Sequence, residues 1–190
     1  MLQVQAYALI KLITKLVRDI QYKLQTEHIK NSEIEWEFIA SHEDYLYNFI
    51  EFLKNKKIKK NAYILDAGCG ISPILLLLQA LNYKHLYGYD NQPEYIQKLK
   101  ITQLNNNFQN PKGRLNLKVI DLYKADYGKY DIIYMYMPIK NPTQYKDLQK
   151  QIITKMKPGA YLMDFYAGVP TNLNTCEYNH DHYQRILRKI

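Results

Sequence analysis

The segment Ile64-Leu65-Asp66-Ala67-Gly68-Cys69-Gly70-Ile71-Ser72-Pro73 holds the residues with the clearest chemical potential. An apolar run ends on an acid, passes two glycines one residue apart, and restarts with Ser72 as a helix N-cap and Pro73 at the first helical position. Without side chains at Gly68 and Gly70 a ligand can approach the backbone, and the helix start offers peptide N–H groups to an anionic group. A second acid, Asp90, closes Gly88-Tyr89-Asp90, 24 residues after Asp66. That is near the roughly 20-residue offset at which a carboxylate meets a ribose diol. A third acid, Asp121, follows the next apolar stretch. Three acids at strand ends on one edge of a parallel sheet would line the crevice where such folds take nucleoside-bearing ligands.

The elements that must hold these residues are legible in the pattern. Strands are expected at Ala62–Asp66, His85–Asp90, Leu115–Asp121, Tyr130–Met135 and Ala160–Phe165. Helices are expected at Pro73–Leu81, Pro93–Asn105 and Thr143–Met156. Strands alternating with helices predict a parallel sheet covered on both faces, joined by right-handed crossovers. The last 25 residues hold an antiparallel pair at about Leu173–Tyr178 and His182–Arg188, with helix as the alternative for the second segment. Ahead of the sheet, apolar residues recur at helical spacing from Leu2 to Leu24, followed by an alternating, lid-like segment Asn31–Ile39 and a helix from about Ser41 or His42 to Lys56. The expected fold class is α/β, a Rossmann-like, mostly parallel sheet of seven strands with an N-terminal helical extension. Residues 1–57 form the extension and lid, and residues 58–190 the cofactor-binding domain.

Length and composition agree with one globular domain: 190 residues, 47% hydrophobic and 23% charged. Two cysteines, Cys69 and Cys176, make no disulfide framework, and no secretory signal pattern opens the chain. A cytoplasmic location is the expectation. No transmembrane span is expected, since no stretch approaches the roughly 18 apolar residues one requires. The acid-free start, Met1 to Arg18, shares one feature with transit peptides but lacks their richness in Arg and Ser. The net charge is +8, yet Asn31 to Leu53 carries −6 and Lys54 to Lys60 carries +5. Lys outnumbers Arg 22 to 4, so basicity alone argues weakly for phosphate recognition, where Arg is the usual choice. The lysine run closes a helix, where a solvated cap is the plain structural reading.

Taken in order, Asp66-Ala67-Gly68-Cys69-Gly70, Gly88-Tyr89-Asp90, Ile120-Asp121-Leu122, Tyr130-Asp131-Ile132-Ile133-Tyr134 and Lys157-Pro158-Gly159-Ala160 resemble the class I S-adenosylmethionine-dependent methyltransferases. The resemblance covers about Ile58 to Phe165 and implies S-adenosyl-L-methionine as cofactor. By that resemblance Asp66, Gly68, Cys69 and Gly70 surround its methionine end, Asp90 with Asn91 its ribose, and Asp121 with Leu122 its adenine. At Ile71-Ser72 the sequence departs from the family, which often has another glycine or an acid there. A nicotinamide-binding Rossmann domain is the competitor, but its fingerprint requires a glycine where Pro73 stands.

The acceptor of such a family sits beyond the fourth strand, here Tyr134-Met135-Tyr136-Met137-Pro138-Ile139-Lys140. Tyr134 and Tyr136 are the candidate catalytic residues, able to flank an amine by cation–π contact or to orient it through a hydroxyl. Met137, Pro138 and the lone tryptophan, Trp36 in the acidic segment, are candidates for binding the substrate. The polar-Pro-Pro-aromatic signature of nucleic-acid amino-methyltransferases is missing, as is a Pro-Cys nucleophile. The stretch Asp121 to Phe165 looks loosely like the small protein-lysine methyltransferases of the ATP synthase ring-subunit type. The expected function is therefore N-methylation of a protein lysine or other amine. The alternatives are an RNA or DNA methyltransferase and a catalytically silent cofactor-binding subunit. Cys176, His180 and His182 fit a turn better than a zinc site, so no metal is expected. The N-terminal helix packs on its own domain in the plainest reading, and a homodimer or a membrane surface are the partners it could otherwise meet.

Overall fold

The computed structural model describes residues 2–28, 43–105, 114–165, 175–181 and 184–190. Trp36, His182 and the acidic stretch ahead of Glu43 lie outside them. Helix α1 is Leu2–His28 and α2 is Glu43–Asn55. Then come β1 Tyr63–Ala67, α3 Pro73–Ala80, β2 His85–Asp90, α4 Pro93–Asn105 and β3 Arg114–Val119. A 3₁₀ turn, Leu122–Lys124, leads to β4 Ile132–Met135, α5 Pro142–Lys155, β5 Tyr161–Asp164, β6 Thr175–Asp181 and β7 Gln184–Lys189.

The sheet runs β3-β2-β1-β4-β5-β7-β6, parallel through β5, with β7 antiparallel to both β5 and β6. The strand order reverses at β1, so the turns after β1 and β4 meet at a topological switch point, the place where open α/β sheets take ligands. Period-two alternation divides the core. Ile64, Leu86, Ile132, Tyr134 and Met163 face one layer with α1, α2, α3 and α4, while Leu65, Tyr89, Ile133, Met135 and Leu162 face the other with α5. Ile10, Ile13 and Val17 of α1 are wholly buried in the first layer, so the middle of the N-terminal helix's apolar stripe packs on this chain's own core. A Thr14 hydroxyl donating to the Ile10 carbonyl (2.8 Å) satisfies the one buried polar side chain on that stripe.

Helix starts follow local chemistry. Ser72 caps α3, its hydroxyl accepting from Leu75 N–H at 3.0 Å. Asn141 caps α5 by accepting from the Thr143 and Gln144 amides at 3.0 and 3.2 Å, with Pro142 in the first turn. Strand β3 ends at Val119, earlier than expected. Its continuation is a cap rather than a strand: Asp121 turns its carboxylate onto Tyr123 N–H (3.0 Å) and opens the 3₁₀ turn. The helical alternative for the last segment is replaced by β7, which pairs Ile186 with Met163 and Leu187 with Leu162.

Candidate active site

The Gly-x-Gly turn follows β1, and both glycines need a backbone that other residues resist: φ is +81° at Gly68 and +49° at Gly70. A Cβ placed on Gly68 would stand 2.2 Å from the Pro138 Cβ, so the loop after β4 is seated directly on this glycine. Two non-glycine residues in the same region, Ser72 (φ 25°) and Met137 (φ 45°), also adopt positive φ. Strain of this kind collects where a site over-determines its backbone.

The peptide groups of the turn are bound inward. Gly68 and Cys69 N–H both donate to the Tyr89 carbonyl at 2.8 and 2.9 Å, and Ser72 N–H donates to the Cys69 carbonyl at 2.7 Å. Gly70 N–H donates to Asp90 Oδ2 at 2.8 Å. Pro73 has no N–H. At these four positions the turn offers an open glycine surface rather than a nest of donors. A diphosphate would find those amides already engaged, whereas a sulfonium nucleoside brings no phosphate to be held.

Asp90 is 8% exposed at the end of β2, and Gln92 N–H donates to its second oxygen at 2.8 Å. The carboxylate keeps lone-pair capacity for a further donor such as a ribose hydroxyl. Burial raises its pKa and the amides of Gln92, Gly70 and Asn91 pull it back down. Asp66 is more enclosed, 4% exposed, and accepts from the Ser72 hydroxyl at 2.5 Å. Burial pushes its pKa up to about 7, Ser72 opposes that, and neighbouring Asp90 adds to it. The Ser72 hydroxyl therefore joins the helix cap to the strand-end acid, a role the sequence hints at only through the cap itself.

Other expected site residues fall differently. Cys69 is buried in the first core layer, and a Cβ on Gly88 would lie 2.9 Å from its sulfur. Its thiol cannot line an open cleft. Burial, then Asp66 and Asp90, raise the thiol pKa, so only its backbone belongs to the turn. Tyr134 is a core residue, 1% exposed, with its ring 5.2 Å from Phe49 and 5.0 Å from Phe165. Tyr136, two residues on, shares that face but lies past the strand end and is half-buried, 5.6 Å from Tyr45 and 5.4 Å from Phe165. Tyr45 comes from α2 and Phe165 from the end of β5, so only the fold brings these two rings around Tyr136. Met137 is exposed and Pro138 half-buried over Gly68. Asn91 is exposed in the bend after β2, and Leu122 is 8% exposed. Asp121 is brought to the same edge by Ile120, whose N–H donates to the Asp90 carbonyl at 2.8 Å.

A parallel sheet reversing at β1, a glycine turn beneath the β4 loop and a carboxylate at the end of β2 define the class I S-adenosylmethionine-dependent methyltransferase fold. Residues 37–180 match the family described as a methyltransferase domain, and the chain belongs to that family. Among solved structures it is similar to an RNA methyltransferase from Salinibacter ruber in complex with S-adenosyl-L-homocysteine, with 14% identity and TM-score 0.59, covering 80% of this chain and 92% of that one. It is also similar to magnesium protoporphyrin IX methyltransferase from Synechocystis with bound S-adenosylmethionine, with 14% identity and TM-score 0.56 over 92% of this chain and 95% of that one. A third similarity is to a SAM-dependent methyltransferase from Methanosarcina mazei, with 23% identity and TM-score 0.50, covering 60% of this chain and 57% of that one. No curated protein matches. The matched family is broader than the ring-subunit lysine methyltransferases, so it does not select that acceptor. Among the described residues, no helix is long and apolar enough to cross a membrane.

Proposed function

We propose that this protein binds S-adenosyl-L-methionine at the turn after β1 and transfers its methyl group to an amine nitrogen. The observation that supports this most is Asp90, enclosed at the end of β2 with Gly70 N–H and Gln92 N–H orienting its two oxygens. When bound, the cofactor supplies an electrophilic methyl carbon on a sulfonium. Asp90, with Asn91, accepts the ribose hydroxyls. Gly68, Gly70 and the Cys69 backbone let the methionine end approach, with Asp66 held beneath the turn by its hydrogen bond to Ser72. Asp121 and Leu122 flank the base.

Displacement at such a carbon needs alignment and an unprotonated nucleophile more than dedicated acid–base groups. Tyr136 is the residue we assign to the acceptor. Burial, then Tyr45, raises the pKa of its phenol, so it stays neutral and orients an amine by hydrogen bonding rather than acting as a phenolate base. The surrounding rings of Tyr45 and Phe165 lower the local polarity, which favours the neutral amine. Met137 and Pro138 border the same edge, and Trp36 is assigned to the lid. A protein lysine is the acceptor we favour, because Glu43 and Asp44 open α2 on the element that carries Tyr45. Nucleic acid is the second reading, supported by the sheet face described below.

Calorimetric titration with S-adenosylhomocysteine tests the site. Wild type should bind, and Asp90→Ala should weaken binding about 10- to 150-fold, the value of hydrogen bonds to a charged group. Equal affinities would remove the ribose assignment. Methyl-labelled cofactor incubated with lysate then reads the acceptor class, since protease-sensitive label supports lysine and nuclease-sensitive label supports nucleic acid. Cofactor binding with no transfer would instead identify a silent subunit.

A further inference from the structure

One face of the sheet is covered by α5 over β1, β4 and β5 but is partly open toward the starts of β1 and β2 and along β3 among the described residues. Only the 3₁₀ turn Leu122–Lys124 and loops lie between β3 and β4, so no crossover helix there extends that layer over the outer strands. The register aligns Tyr63 with His85, Tyr87 with Asn116 and Tyr89 with Lys118 on that face. Asn116 and Lys118 are exposed, and Tyr63 is 37% exposed. The Tyr63 ring lies beside two rings of β2, 4.4 Å from and nearly parallel (10°) to His85, and 6.0 Å from and nearly parallel (17°) to Tyr87. The Lys129 ammonium lies 4.1 Å from the Tyr87 ring centroid.

Charge complements these rings. Lys84 immediately precedes His85, and its N–H donates to the Lys60 carbonyl at 2.8 Å, which ties the two lysine-bearing loops together at the starts of β1 and β2. Lys59, Lys60, Lys84, Lys118 and Lys129 are all exposed. The nearby Asp131 is neutralised by Lys157 at 2.6 Å. Stacked aromatics interleaved with lysines on an open sheet are what unpaired bases and their phosphates require: a π-face for each base and cations along the backbone.

We propose that this aromatic and basic sheet face, Tyr63, His85 and Tyr87 with Lys118 and Lys129, binds single-stranded nucleic acid by base stacking. Its rings lie toward the strand starts, with Tyr63 about 13 Å from the glycine turn at the far end of β1 by strand rise, while Lys118, level with Tyr89, extends the charge toward the cofactor edge. The stacking rings are therefore distinct from the cofactor edge, and their role stands whether or not the methyl-transfer reading does.

Fluorescence anisotropy tests it with a labelled 12-nucleotide uridine RNA, its DNA counterpart and a duplex of the same sequence, all without cofactor. Single strands should bind, and more tightly than the duplex. Tyr63→Leu should weaken binding about 5- to 150-fold, and Tyr63→Phe, which keeps the ring, should retain it. Lys118→Gln, a change at an exposed side chain on an edge strand, should reduce the salt dependence by about one counterion. Asp90→Ala should bind the strand as wild type does, so loss of the cofactor site and loss of this surface are read separately. The proposal is overturned if wild type binds no single strand, if Tyr63→Leu binds as tightly as wild type, or if polyglutamate displaces the RNA at equal charge concentration.

Discussion

Asp66 is a carboxyl whose folded environment works against its charge, and replacing it by asparagine gives a signed prediction. The group is buried at the end of β1 with one hydrogen bond, from Ser72, and its pKa is raised from 3.8 to about 7. Between those values the native state keeps a proton that the unfolded chain has released. The slope of stability with pH is then negative, so stability from this group falls as pH rises from about 4 through about 7 and is level above that. A displacement of about three pH units at about 1.4 kcal/mol each amounts to a loss on the order of 4 kcal/mol. Asp66→Asn stays uncharged throughout. Its amide can accept from Ser72 but brings two donors into a buried place, at a cost of about 1–3 kcal/mol that does not vary with pH. The diagnostic is thus the slope of the difference between the two proteins, because every other titrating group cancels. Urea unfolding at pH 4.5, 5.5, 6.5 and 7.5 should show wild type losing ground steadily to Asp66→Asn, by a few kcal/mol over the range. Two curves that stay parallel would refute the claim that Asp66 is protonated in the folded protein near neutrality.

Two further predictions follow from the same edge. Tyr136→Phe should leave S-adenosylhomocysteine affinity within about twofold by calorimetry while slowing turnover about 3- to 10-fold, the value of one lost neutral hydrogen bond. An unchanged rate would take the hydroxyl out of acceptor alignment. Gly68→Ala combines positive φ with a Cβ 2.2 Å from the Pro138 Cβ, so it should destabilise by about 2–5 kcal/mol in denaturant. Pro138→Gly in the same chain, which removes that Cβ, should recover part of that loss, and strict additivity would show that the two residues do not touch.

What was legible in the sequence is what depends on one strand or one turn at a time. The helices after Ser72 and Asn141 begin where a capping side chain precedes proline, and β1, β2, β4 and β5 sit where apolar runs meet glycine or acid. What was not legible is decided by a second element. Tyr134 and Tyr136 are two apart and so share a face by strand periodicity, yet one is enclosed and the other is not. The difference comes from α2, whose Phe49 covers Tyr134, while Tyr136 has passed the end of β4 and packs beside Tyr45 and Phe165. Cys69 reads as part of a ligand turn, but the missing side chain at Gly88 on β2 makes the space into which its sulfur packs. Gly88 therefore acts in the site without touching it: by admitting Cys69 to the core it leaves the ligand side of the turn to the bare backbones of Gly68 and Gly70. Asp121 reads as a strand-end acid and serves first as a cap, its carboxylate accepting from Tyr123 N–H where β3, the edge strand among the described residues, has ended. The same edge position explains the open sheet face. Where β4 follows β3 after only a 3₁₀ turn, no crossover helix exists to bury Tyr63 and Tyr87, and the rings must find other partners. The ring stack and Lys129 are those partners within the chain, and their outer surface is where an unpaired base would add to the series.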